Sequence, residues 1–143
     1  MIKKLLAITV LGLLLANNSF GDDNRYKDYK SKLSLASTEQ KFIILKEISF
    51  ALGFENDFIS SCVIYIKIQK KIKGQTCEKA FKRLNGVMNL LNIISSTEYK
   101  NSFKEVAQKI NKFKLNQLMN ETEKNSSALS ANLSKLNFLV KNL

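Results

Sequence analysis

The stretch Phe54–Ile94, FENDFISSCVIYIKIQKKIKGQTCEKAFKRLNGVMNLLNII, decides how the rest of the chain is read. It is apolar, tipped with lysine, and holds the only two cysteines, Cys62 and Cys77. Ile64, Ile66, Ile68 and Ile72 alternate with Tyr65, Lys67, Gln69, Lys71 and Lys73, a period of two that suits a strand. Both flanking segments are helical in pattern, however, and no partner strand is visible elsewhere. The spacing of Phe58, Ile59, Cys62, Val63 and Ile66 predicts a helix, capped by Asn56 or Asp57. Beyond it, Lys73-Gly74-Gln75-Thr76 reads as a turn, with Gly74 closing one helix and Thr76 capping the next. The following helix repeats Phe81, Leu84, Met88 and Leu91, with Val87 and Ile94 in support.

The two cysteines test this hairpin. A helix continuous to Lys73 would carry Cys62 ~16 Å from the turn. A disulfide needs its Cα atoms within ~7 Å. A Cys62–Cys77 bridge therefore requires the first helix to stop near Ile68 or Gln69, leaving Lys70-Lys71-Ile72-Lys73 as a returning loop. Either the bridge forms and the helix stops short, or the helix is continuous and the thiols stay apart. Exported proteins seldom keep two free thiols, which favours the bridge.

Export itself is read from the beginning of the chain. Met1-Ile2-Lys3-Lys4 is a positive n-region and Leu5 to Ala16 an apolar h-region too short to span a bilayer, which needs ~20 residues. Ser19 and Gly21 suit the −3 and −1 positions of a signal-peptidase site. Residues 1–21 are thus expected to be a signal peptide, cleaved after Gly21 or alternatively after Ala16, and the mature protein to be periplasmic or secreted.

Composition sets the class. The chain has 143 residues, no proline, no tryptophan and 5 glycines, with 45% hydrophobic residues. Proline and glycine interrupt helices, and hairpins demand glycine at positive φ, so their scarcity predicts an all-α fold. A single small bundle of about four to five helices is expected over residues 37–143, after a polar arm or short helix at 22–36 in which Tyr26, Tyr29 and Leu33 have helical spacing. Ser37 and Gln40 form a capping box for a helix with Ile44, Leu45, Ile48, Ala51 and Leu52 on one face, and Gly53 is read as its end. Ser95 and Glu98 offer a second box, leading into Tyr99, Phe103, Val106, Ile110, Phe113 and Leu118. The polar run Asn120 to Ser127 reads as a break. Leu129, Leu133, Leu136, Val140 and Leu143 then mark a last helix with heptad spacing, either packed in the bundle or offered to a partner.

The net charge of +11 is uneven. Residues 22–57 carry six basic and seven acidic side chains, whereas residues 58–143 carry fifteen basic and five acidic. Lys67, Lys70, Lys71, Lys73, Lys79, Lys82 and Arg83 surround the Gly74 turn, opposed only by Glu78, and form the candidate binding patch. Such a field attracts acidic protein surfaces or anionic membranes, although lysine that merely solvates helix faces gives the same count. Tyr65 and Phe81 are the only aromatics among these lysines and both have core alternatives, so nucleic acid is disfavoured, as export also argues.

Candidate chemistry is sparse. Histidine is absent, which removes the commonest general base, the Ser–His and Cys–His pairs and the commonest metal ligand. No glycine-rich phosphate loop is present. Glu55 with Asp57 and Glu121 with Glu123 read as cap and loop residues rather than an acid–base pair, so no catalytic, metal or cofactor site is expected. The Cys-x-x-Tyr run at Cys62–Tyr65, with an all-helical exported layout, resembles periplasmic immunity proteins that neutralise secreted amidase effectors. That likeness covers one short motif and the general layout. The expected function is binding to another protein without catalysis; neutralising a secreted effector, or an envelope-associated structural role on anionic surfaces, are the alternatives. Thiol labelling of the denatured protein before and after reductant checks the staple: labelling only after reduction is expected, and loss of the closed loop of ~15 residues should cost up to ~3 kcal/mol of stability.

Overall fold

The computed structural model describes residues 24–143, so the expected signal peptide and its cleavage site lie outside the described residues. Among those residues the protein is all-helical, without strands. Six helices follow one another: α1 (Tyr29–Leu35), α2 (Thr38–Gln69), α3 (Gln75–Lys82), α4 (Leu84–Ile94), α5 (Thr97–Lys109) and α6 (Lys112–Lys141). None of them is long and apolar enough to cross a membrane.

The spine is α2, and it begins as the sequence predicts. Ser37 Oγ accepts a hydrogen bond from Gln40 N, and Gln40 Oε1 accepts one from the Ser37 N–H, which satisfies two otherwise orphan donors. It does not end at Gly53. Lys41, Leu45, Ile48, Leu52, Glu55, Ile59, Cys62 and Ile66 are buried along its length, in steps of four and three. That unbroken seam outweighs the propensity cost of one interior glycine, about 1 kcal/mol. Gly53 serves close approach: a Cβ there would stand 3.2 Å from Nδ2 of Asn125 on α6. Asn56 and Asp57 consequently lie within α2 and cap nothing, and Asn56 instead accepts from Asn132.

Running beside α2 in the same direction is α6, the helix it contacts most. Asn125 Nδ2 donates to Ser49 O at 2.9 Å, and Asn132 Nδ2 donates to Asn56 Oδ1 at 2.8 Å. Both bonds span 76 positions and lie one heptad apart on each helix, which fixes a parallel register. Leu129, Leu133 and Leu136 are 0, 1 and 0% exposed, so the last helix packs and its leucine stripe is not offered to a partner. The expected break at Asn120–Ser127 is absent. Within that run Thr122 and Asn125 face the seam, the first bonding back to Leu118 O, and the helix passes through them intact. The chain breaks earlier, at Ile110, where Asn111 caps α6 by accepting from Lys114 N.

The short helices fill the crossover between these two long ones. Phe81 to Ile94 is not one helix: Arg83 interrupts it with a tight bond from its N–H to Ala80 O, which raises the helix count to six. Ser95 ends α4, bonding Leu91 O, and Ser96 rather than Ser95 caps α5 by accepting from Tyr99 N. At the other end, α1 docks through Leu33, fully buried, and α5 is tied to α2 by a 2.6 Å ion pair between Lys41 and Glu105.

Arg83 breaks the helix because its side chain is engaged elsewhere. Glu55 is fully buried in the middle of α2 and is no cap residue. Arg83 grips it with two donors, Nε to Oε2 at 2.8 Å and Nη2 to Oε1 at 2.6 Å. The Tyr26 hydroxyl adds a third, at 2.7 Å to Oε1. The guanidinium also stacks near Phe54 and Phe58, 5.1 and 4.5 Å from the ring centroids. One carboxylate thus joins the N-terminal arm, α2 and the α3–α4 junction. Leaving it without Arg83 strands a buried charge, so Arg83→Met is expected to cost about 3–5 kcal/mol. The double variant Glu55→Met with Arg83→Met should recover most of that loss; denaturant melts of the wild type and the three variants measure the coupling.

Candidate interaction surfaces

Two surfaces stand out, at different points along α2. The first is its lysine-rich end. Lys70 adopts the left-handed conformation, φ 54°, and stops the helix after Gln69. This is the early stop that the bridged alternative requires. Cys62 and Cys77 stand at disulfide distance, with sulfurs 2.11 Å and Cα atoms 4.6 Å apart. Both are fully buried. The returning segment 70–74 is held a second time, by the Tyr65 hydroxyl donating to Lys73 O at 2.6 Å. Gly74 sits at the N-cap of α3 in an extended conformation, and glycine suits the position because a Cβ there would overlap the Tyr65 side chain. Neither the closing role read for Gly74 nor the capping role read for Thr76 survives this geometry; Thr76 lies inside α3.

Around this pinned turn the structure leaves Lys67, Lys70, Lys71, Lys73, Lys79 and Lys82 exposed. Lys82 pairs with Glu78 at 3.1 Å, both well exposed, a contact worth little in water. Arg83 does not belong with them. Its guanidinium faces inward to Glu55, whose hydrogen bonds raise it above its ordinary value against a smaller opposing effect of burial. Sequence spacing groups Arg83 with the lysines because it sits beside Lys82; only the burial of Glu55 separates them.

The second surface was not legible as a site. Leu35, Ile43, Phe50 and Phe54 are 87, 53, 74 and 43% exposed. They border three adjoining troughs. Ile43 is shared by a trough at Leu35 and Ala36 and by another at Tyr26, Tyr29 and Ala51. Phe50, Phe54 and Lys46 are shared by the latter and by a groove of about 780 Å³ between α2 and α6. That groove runs from Phe42 to Asp57 on one wall and from Lys114 to Ala128 on the other. Phe50 therefore forms a ridge between two depressions. Phe54 rings stack against Phe50 and meet Phe58 edge-on, at 6.3 and 5.3 Å. The signal available in the sequence was the i, i+4 ladder Phe50-Phe54-Phe58; Phe50 lies outside the four-three seam and so has no place in the core.

Among the described residues no group of three or more Cys, Asp or Glu side chains is placed to hold a metal. The one fully buried carboxylate among the described residues, Glu55, is committed to Arg83 and Tyr26. No protein-family model, no curated protein and no solved structure matches the chain.

Tyrosines give this arrangement a pH dependence. Burial, reinforced by its bond to Glu55, raises Tyr26 well above the ordinary tyrosine value. Burial likewise raises Tyr29, with Glu47 adding to the effect. Tyr99 is pushed up to about 12 by burial, against a smaller lowering from Thr122. Each folded-state value lies above the unfolded one, so the unfolded chain releases protons first as pH rises. Stability is then full below about pH 10 and declines through the interval up to the raised values. Urea midpoints should stay level to about pH 9.5 and fall between about 10 and 12. Tyr99→Phe should flatten that fall in part.

Proposed function

We propose that this is an exported, non-enzymatic helical protein that works by binding another protein through the apolar face on the first half of α2. The observation that carries the reading is the exposure of Phe50 as a ridge between two troughs, continuous with Ile43 and Leu35. Contiguous exposed apolar surface of this kind marks sites that a partner covers, and buried aromatics dominate the energetics of such contacts. A helix of about four turns matches the groove's length from Phe42 to Asp57.

Charge decides what kind of partner. Without the leader's Lys3 and Lys4 the net charge of +11 becomes +9, and Lys46, Lys114 and Lys124 outnumber Asp57 and Glu121 around the groove, so a second copy is repelled and an acidic protein is attracted. The occupant is therefore an acidic segment that offers apolar side chains, an amphipathic helix being the simplest form. The pair at Cys62 and Cys77 is consistent with an oxidising, exported location. The lack of histidine and the commitment of Glu55 to Arg83 support binding rather than catalysis.

Phe50→Glu is the decisive variant, since Phe50 is exposed and its loss should leave the melting temperature nearly unchanged. An acidic partner held by the wild type at one-to-one stoichiometry is expected to bind at least tenfold more weakly to the variant, in keeping with about 2 kcal/mol for an aromatic anchor. A partner retained equally by both proteins would overturn the reading, as would self-association of the wild type through Phe50 at micromolar concentration.

A further inference from the structure

The lysine-rich end carries two features that the protein-binding face does not explain. Lys67, Lys70, Lys71, Lys73 and Lys79 are exposed, and none has an ion-pair partner among the described residues. Beside them, Ile64 and Ile68 are 55 and 69% exposed, one turn apart on the outer face of α2. The inner face at the same level is filled by Cys62 and Ile66, 0 and 1% exposed. The isoleucines therefore have no role in the core, and the lysines none in holding it.

The combination is selective. Lysines alone suit any polyanion. Exposed isoleucines gain nothing from a soluble one, whereas they gain burial at the boundary of headgroups and acyl chains. Lysine suits the same boundary, because its stem lies along apolar surface while its ammonium stays among phosphates. None of the residues lining the three troughs described above belongs to this tip. Its backbone is held in place by the Cys62–Cys77 pair and by the Tyr65 bond to Lys73, so little conformational freedom is lost on docking.

We propose that this end of the molecule docks on an anionic bilayer surface, with Ile64 and Ile68 entering the headgroup boundary and the five lysines meeting lipid phosphates. This stands independently of the protein-binding reading, which uses a different part of α2. Docking here leaves the Phe50 ridge free for its partner.

Co-sedimentation with vesicles tests it. The protein should bind phosphatidylcholine vesicles containing about one-third phosphatidylglycerol at least tenfold more tightly than pure phosphatidylcholine. That binding should disappear at ~0.5 M salt, where the screening length falls to a few ångströms. Replacing three lysines together, Lys67→Gln, Lys70→Gln and Lys71→Gln, should weaken it by at least tenfold, since each lysine near an anionic surface contributes about a fivefold factor. Ile64→Ser with Ile68→Ser should weaken vesicle binding severalfold and leave binding to heparin, a soluble polyanion, unchanged. All five positions are exposed, so thermal melts should show the fold intact. Phe50→Glu should leave vesicle binding as it is. No binding to the anionic vesicles would overturn the proposal. So would isoleucine variants that bind vesicles like the wild type, which would make the tip a site for soluble polyanions or acidic proteins.

Discussion

A carboxylate without solvent is the constraint around which this molecule is arranged. Glu55 occupies a core position of α2, between Leu52 and Ile59, where an apolar residue would pack without penalty. Burying the charge is tolerable only with a partner of fixed geometry, and the two-pronged guanidinium of Arg83 is the group best shaped to supply one. For that fork to reach α2, the chain after the Cys62–Cys77 pair must run back along the helix and break where Arg83 turns in. The split between α3 and α4 and the docking of the arm through Tyr26 both follow. An apolar pair at these positions would often give equal or greater stability. What the ion pair adds is register: only one alignment of the returning segment satisfies it.

Polar pairs do similar work along the other long contact. Asn125 and Asn132 sit in the seam between α2 and α6, and each finds its partner only at one offset. Because the two helices are parallel, their C-terminal ends, with their partial negative charge, lie at the same end of the bundle as the lysines. Part of the positive potential there is balanced by these helix ends. The rest faces solvent. The apolar troughs and the basic tip are thereby separated along one rigid helix rather than merged into a single surface.

The fold class was legible because it rests on what is missing, proline and glycine, and on capping chemistry that is local. Ser37 with Gln40 needs only four residues to be recognised. The early end of α2 was legible too, since a bridge between Cys62 and Cys77 has a distance requirement that a helix to Lys73 violates. Gly53, Glu55 and the polar run 120–127 misled for a common reason. Each sits on a packed face without being a large apolar residue, and its partner lies far along the chain: Asn125 for Gly53, Arg83 for Glu55, Ser49 for Asn125. Periodicity that counts only apolar residues sees a stop where the structure has a specific contact. The same blindness placed Arg83 with the lysines. Phe50 escaped notice for the opposite cause: it is apolar but lies off the four-three seam, and its exposure shows only once that seam is known.

The parallel pairing of α2 and α6 also sets an order of events. Contacts spanning 76 positions close late, after the entropy of the whole crossover has been overcome. The pair Cys62 and Cys77, at disulfide distance, spans only 15 positions, and a bridge there forms a local unit that shortens the remaining search. The leucines of α2, however, are not fully covered until Lys112–Lys141 has been made, because the helix that α2 contacts most is α6. Until then the principal apolar seam of α2 is accessible. Whatever handles the nascent polypeptide before α6 has emerged therefore meets it with the bundle still open.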